Sequence, residues 1–221
     1  MNIMQRRIIS NEAGARSDGM MIVSVIFIAA FTYIALTTSP VYTGIGVGDR
    51  APDLQGQVLI GNEWVDFNLA ENIDPMWDED GEEIGTWYLI EFMDTNCGHC
   101  INAARDDFPS AQANWLGEDA PRPTPDNINV EFLAVSISLW EDTTPGKEYG
   151  KEEIVEFRDT YGLNFGFMDS QDNSHQSGWG NLGTPSYFIV SPNGIIEYTN
   201  LETPELVWQE ALENLVPRGD A

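Results

Sequence analysis

The sequence predicts an α/β domain, a central mixed sheet flanked by helices, preceded by an N-terminal transmembrane helix. Three observations carry this. Residues 20–38 (MMIVSVIFIAAFTYIALTT) contain no charge. Nearly continuous apolar runs at 86–94 and 130–140 are followed by a segment of helical apolar spacing at 151–162. Two further strand-like runs flank the turn Ser191-Pro192-Asn193-Gly194, so a hairpin joins the buried strands.

The uncharged run comes first in the chain. As a helix rising 1.5 Å per residue it is about 28 Å long, close to the hydrocarbon thickness of a bilayer. A signal peptide is the competing reading, but its apolar region is commonly about 7–15 residues and ends in a small-x-small site. Here the run is longer and no clear site of that kind follows. Arg6, Arg7 and Arg16 precede the span, and Arg50 is the nearest basic residue after it. The positive-inside rule then puts the N-terminus in the cytoplasm and the remainder outside. The expected organisation is a cytoplasmic tail at 1–19, an anchor at 20–38, a linker at 39–46, one domain at 47–216 and a tail at 217–221. An extracytoplasmic compartment permits disulfides.

Residues 57–69 (QVLIGNEWVDFNL) read as two short strands around Gly61-Asn62. DPMWDEDGEEIG is a polar turn. It is no calcium loop, because aligning Gly81 with the invariant glycine puts Met76 and Trp87 at the first and twelfth ligand positions. Thr86–Asp94 is a strand buried on both faces. A helix follows from about Cys97, bent or ended by Pro109. Val130–Trp140 is a second buried strand. Lys151–Gly162 is a helix stopped by its glycine. FGFMD is a short strand or an extended segment. After the C-terminal hairpin, TPELVWQEALENLV closes the chain as an amphipathic helix, with Thr203 as N-cap and Pro204 at its first position. The expected order is β-β-β-α-β-α-β-β-α.

Charge narrows the function. The chain of 221 residues has 10 Lys plus Arg against 36 Asp plus Glu, a net of −26. Such a chain repels nucleic acid and anionic headgroups. The acidity reads as a solvated surface suited to salty surroundings. Surface carboxylates disfavour a thiolate until salt screens them beyond about 8–10 Å, so thiol reactivity at neutral pH is expected to rise with ionic strength.

The chain's two cysteines, Cys97 and Cys100, lie in EFMDTNCGHC. A strand that delivers Cys-x-x-Cys to a helix start puts the first thiol where free N–H groups and the helix dipole favour negative charge. The second lies one turn on, within disulfide reach. Cys97 is therefore expected as the exposed nucleophile and Cys100 as the buried resolving thiol. His99 adds positive charge or a donor near the Cys97 sulfur, which favours the thiolate and makes the disulfide more oxidising. Half a zinc site is an alternative, but only His99 and His175 could add to two cysteines. An inert structural disulfide is another, but so small a loop gains little on closure.

IEFMDTNCGHC resembles the active-site strand and helix start of thioredoxin-fold proteins, in the Cys-Gly-His-Cys form of protein disulfide isomerases. GTPSYFIVSPNG resembles that fold's second hallmark, a cis Thr-Pro bond followed by a strand and a turn. The anchor, VGDRAPDL and the early hairpin resemble membrane-anchored TlpA/ResA-like thiol–disulfide oxidoreductases. The likeness covers about residues 47–216. It implies a thioredoxin-like fold, with Cys97 and Cys100 as the redox pair and their disulfide as the redox group in place of a separate cofactor. It implies that Pro185 lies against that pair and that Thr184 offers backbone groups to a substrate strand. It implies that Glu91 is the buried acid that relays the proton of Cys100. Gly98 and Asn96 would face substrate beside the nucleophile. Most such proteins carry Trp before the first cysteine, and this chain has Asn96, so the apolar shelf there is changed.

Two functions follow. The first is a membrane-tethered, extracytoplasmic protein-disulfide oxidoreductase that exchanges disulfides with secreted or membrane proteins and with a membrane redox partner. The second is a copper-binding and delivery module like the Sco-type chaperones of the same fold, using Cys97, Cys100 and His175. Those proteins usually space their cysteines by three residues, unlike this chain. His175 otherwise reads as a solvated loop histidine. A peroxiredoxin reading fails because the Pro-x-x-x-Thr-x-x-Cys environment is absent around Cys97.

Overall fold

The structure, a computed structural model, describes residues 19–33, 41–116, 120–121, 123–139, 146 and 148–219. The chain divides into two compact units, Met1–Val41 and Tyr42–Ala221.

In the first unit, residues 19–33 form a helix, α1. Its apolar side chains, among them Met20, Phe27, Ile28 and Phe31, are exposed all round. Residues 1–18 of the expected tail and 34–38 of the expected span lie outside the described residues. Among the described residues no helix is long and apolar enough to cross a membrane.

The second unit is built on a seven-stranded mixed sheet. Its strands are β1 (Gln55–Ile60), β2 (Glu63–Asn68), β3 (Gly85–Met93), β4 (Ile128–Ser136), β5 (Gly166–Asp169), β6 (Ser186–Val190) and β7 (Ile196–Thr199). The spatial order is β2-β1-β5-β4-β3-β6-β7. β3 pairs in parallel with β4, and β4 with β5. β6 runs antiparallel to β3, as β1 does to β5. The apolar runs of β3 and β4 thus occupy the middle of the sheet, where both faces are covered. FGFMD is a full strand, held on one side by β4 and on the other by β1.

Alternation along the strands builds two cores. Trp87, Leu89 and Met93 of β3 join one, with Phe132 and Ala134 of β4 and Tyr187 and Ile189 of β6. The helices α2 (Gly98–Asn102), α3 (Phe108–Trp115), α4 (Lys151–Tyr161) and α6 (Trp208–Leu215) cover that core. Tyr88, Ile90 and Phe92 face the other way, toward Leu54, Leu69, Leu182 and Trp179 of the short α5 (Gln176–Trp179). On the first face Phe108 sits 5.0 Å from Trp208 and 5.1 Å from Phe165. A fully buried Phe of this kind stabilises by roughly 1.5–3 kcal/mol.

Pro109 does not end the helical run that starts at Gly98. The ring has no N–H to bond the carbonyl four residues back. The turn before it, Ala103–Asp107, takes up the mismatch as a π-helical turn, and Phe108 N–H reaches Ala103 O. The closing helix starts later than its sequence predicts, at Trp208 with Val207 as cap residue. Thr203 is not its N-cap. Its hydroxyl and amide both donate to Thr199 O at the end of β7, which ties that residue to the sheet. Residues 42–46, expected as linker, are fastened to Arg50 by the Thr43–Arg50 bridge and by Gly44 N–H on Arg50 O at 3.1 Å.

Candidate active site

β3 ends at Met93 and the chain turns through 94–97 into α2, so the cysteines sit at the carboxyl end of a central strand. Cys97 is the cap residue of α2, and its sulfur accepts from Cys100 N–H at 3.4 Å. The bond between Thr184 and Pro185 is cis, and Thr184 O lies 3.6 Å from Cys97 Sγ. The two sequence hallmarks, 87 residues apart, therefore meet at one sulfur.

Both cysteines are free thiols. Cys100 is 1% exposed, as its sequence position predicts, but Cys97 is only 8% exposed. The expected exposed nucleophile is mostly covered. Burial by itself pushes the Cys97 thiol up, yet it lies below its ordinary value. Hydrogen bonds from the Cys100 and Thr184 side chains and from the amides of Cys100 and His99 outweigh the burial. Thr184 acts in both directions, because its carbonyl accepts the thiol proton while its side chain supports the thiolate. Four donors against one acceptor carry the thiol below its ordinary value, the direction that favours the thiolate. Cys100 goes the other way: burial and then the Glu91 charge hold its proton firmly.

Glu91 follows from strand alternation, being on the same face as Leu89 and Met93. It is 5% exposed and directly opposite Tyr187 across the β3–β6 ladder. Burial pushes its carboxyl up to about 8, against a hydrogen bond from Tyr187 Oη at 3.2 Å that pulls it down. The charges of Cys97 and Asp107 add to the rise. Asp107, at the end of the π-helical turn, is itself raised by burial and by Asp106.

His99 is exposed, and its backbone N–H supports the sulfur. Its ring lines a groove of about 410 Å³ with Pro185, Tyr187, Asp107, Asn200 and Trp208. Gly98 is exposed, and a Cβ there would meet nothing within 4 Å. Asn96 is half-buried, and its amide group donates to Glu148 O at 3.1 Å, so it faces the loop before α4.

His175 is 5% exposed, not solvated. Its Nδ1 lies 2.9 Å from Ser170 Oγ and its ring packs on Phe92, in the core opposite the cysteines. Burial lowers its basicity. Among the described residues no group of three His, Cys, Asp or Glu side chains could hold a metal ion. The copper triad Cys97, Cys100 and His175 is therefore not assembled.

Sequence reasoning missed Asp94 and Tyr187. Asp94 is fully buried and accepts from Asn96 N–H, Leu139 N–H and Tyr149 Oη at 2.7, 2.9 and 2.9 Å. Tyr187 was legible in principle, as the second residue after Pro185 on the strand that pairs with the Glu91 strand.

This assembly is a thioredoxin-like fold. The thioredoxin domain of a thiol-disulfide oxidoreductase from Bacteroides vulgatus superimposes with a TM-score of 0.51 at 15% identity, covering 78% of this chain and 99% of that one. An uncharacterized conserved protein from Geobacillus kaustophilus gives 0.51 at 14% identity, covering 73% of each chain. No family model matches the chain, and no curated sequence is similar to it.

Proposed function

We propose that the chain is a thiol–disulfide oxidoreductase whose redox group is the Cys97–Cys100 pair and whose substrates are proteins carrying thiols or disulfides. One observation carries this: a thiol tuned toward thiolate lies at a helix start, against the Thr184–Pro185 segment, with a second, proton-holding thiol one turn on. In the reducing direction the Cys97 thiolate attacks a substrate disulfide. One Cys97–substrate S–S bond forms, the substrate S–S bond breaks, and the released substrate thiolate takes a proton. Cys100 then gives its proton to Glu91 and attacks Cys97 Sγ, which closes the Cys97–Cys100 disulfide and frees the second substrate thiolate. Two electrons have passed to the substrate. The oxidising direction is the reverse. Thr184 and Pro185 border the approaching polypeptide, with Asn96, Gly98 and His99 beside the sulfur.

The catalytic unit is tethered to a membrane and stands outside the cytoplasm, exchanging electrons with a membrane redox partner. The uncharged run 20–38, the exposed apolar helix at 19–33 and the arginines before it support this. Carbonate washing of membranes should leave the chain in the pellet; release into the wash defeats the tether.

The test of the chemistry is trapping. A Cys100→Ser variant should accumulate mixed disulfides through Cys97, and the unaltered chain should reduce insulin in the presence of dithiothreitol. Absence of both overturns the reading. A redox titration gives the direction: a potential near about −270 mV marks a reductase, one at about −180 to −120 mV an oxidant.

A further inference from the structure

Asp94 is the fully buried carboxylate nearest the cysteine turn in sequence, and the resemblance assigns it nothing. Burying a carboxylate costs several kcal/mol unless its lone pairs are satisfied. Here Oδ1 takes Asn96 N–H at 2.7 Å, and Oδ2 takes both Leu139 N–H and Tyr149 Oη at 2.9 Å. All three donors are neutral. They come from three parts of the chain: the cysteine turn, the segment after β4 and the lead-in to α4. Asn96 adds a parallel tie to the last of these through Glu148 O at 3.1 Å.

The Asp94 backbone joins the same arrangement. Its carbonyl accepts from Cys97 N–H at 2.9 Å, and its N–H supports the Cys100 sulfur. One residue therefore touches both cysteines through its main chain and fixes the turn that leads into them through its side chain. The consequence is directional. The Cys97 sulfur draws on the amides of His99 and Cys100, and it reaches them only while Cys97 keeps its extended cap conformation, φ −81° and ψ 122°, at the start of α2. With the Asn96 and Cys97 amides engaged by Asp94, the next N–H groups are left to the sulfur.

We propose that Asp94 is the positioning residue of this site: it clamps the β3–α2 turn to the segments at Leu139 and Tyr149 and so aims the amides that favour the Cys97 thiolate. This rests on reading Cys97 as the reactive thiol. It makes an unusual demand on a charged group. As a bare negative charge, Asp94 would oppose a thiolate; as a clamp it promotes one. The two roles have opposite signs.

The experiment is alkylation of the reduced full chain by iodoacetamide from acid to alkaline pH, with modification at Cys97 read by peptide mass. Asp94→Asn keeps the shape but replaces one acceptor oxygen with an NH2 group. It should slow Cys97 alkylation at neutral pH about tenfold and move the midpoint of the pH profile up by about one unit. Tyr149→Phe, which removes one donor and leaves the carboxylate, should move both in the same direction by a smaller factor, and it decides the matter if Asp94→Asn does not fold. Faster alkylation, a midpoint moved down, or an unchanged profile overturns the proposal. The readout needs no turnover, so it is independent of the insulin assay: a chain that fails on insulin yet shows the shifted profile loses the oxidoreductase reading and keeps the clamp.

Discussion

Cys97 and Cys100 are three residues apart, both buried, and their acidities move in opposite directions. Burial raises each. At Cys97 the first turn of α2 and the Thr184 side chain supply donors that more than offset it. Cys100 sits one turn deeper, beside the charge of Glu91, with the Asp94 amide as its counterweight. Burial therefore does not account for the opposite directions of the two thiols; the supply of donors does.

The largest test of that asymmetry is to remove one sulfur at a time. Cys97→Ala should bring insulin reduction down to the level of buffer, whereas Cys100→Ser should still attack and then stall with substrate attached. Equal behaviour of the two on non-reducing gels would erase the distinction. Next comes the carboxyl. Glu91→Gln keeps an acceptor for Tyr187 and removes the proton relay, so resolution of a mixed disulfide should slow by about 10²-fold.

The same variant has a stability signature. The folded carboxyl titrates near about 8 against an ordinary 4.5, so the folded state favours the neutral form. Its contribution is complete below about pH 4.5 and is lost as pH rises through about 8. Denaturant titrations of the reduced protein should show unaltered chains losing stability across that window and Glu91→Gln losing less. Tyr187→Phe is milder. It deletes the bond that pulls Glu91 down, so the pH at which resolution is half-maximal should rise, at a stability cost of about 1 kcal/mol. Smallest is Gly98→Ala. The open space around Gly98 predicts a stability change within about 0.5 kcal/mol, while the new methyl on the face beside the sulfur should raise KM for a protein substrate.

Much of this was legible from residue order, for reasons that are local. β3 and β4 announce themselves because strands covered on both faces leave little room for polar side chains. Gly162, at φ 64°, ends α4 where its sequence places the stop. The helix start at Cys97 and the strand after Thr184-Pro185 were legible because each segment is short and self-contained. What failed depends on distant partners. Thr203 looked like a helix cap until Thr199 O claimed its hydroxyl. His175 looked solvated because its loop is polar, yet the loop turns inward and packs the ring against Phe92 at a tilt of 48°. Asp94 drew no role from the sequence because Leu139 and Tyr149, which satisfy it, lie 45 and 55 residues away.

The donors around the Cys97 sulfur have one more consequence. They are uncharged dipoles at contact range, with Cys100 N–H at 3.4 Å. Mobile ions act over about 8–10 Å in ordinary buffer and cannot slip between groups already touching. The expectation drawn from bulk acidity, that salt quickens the thiol by screening the surface carboxylates, therefore concerns only the part of its acidity that these contact donors do not set, and the alkylation rate from dilute buffer to brine measures that part.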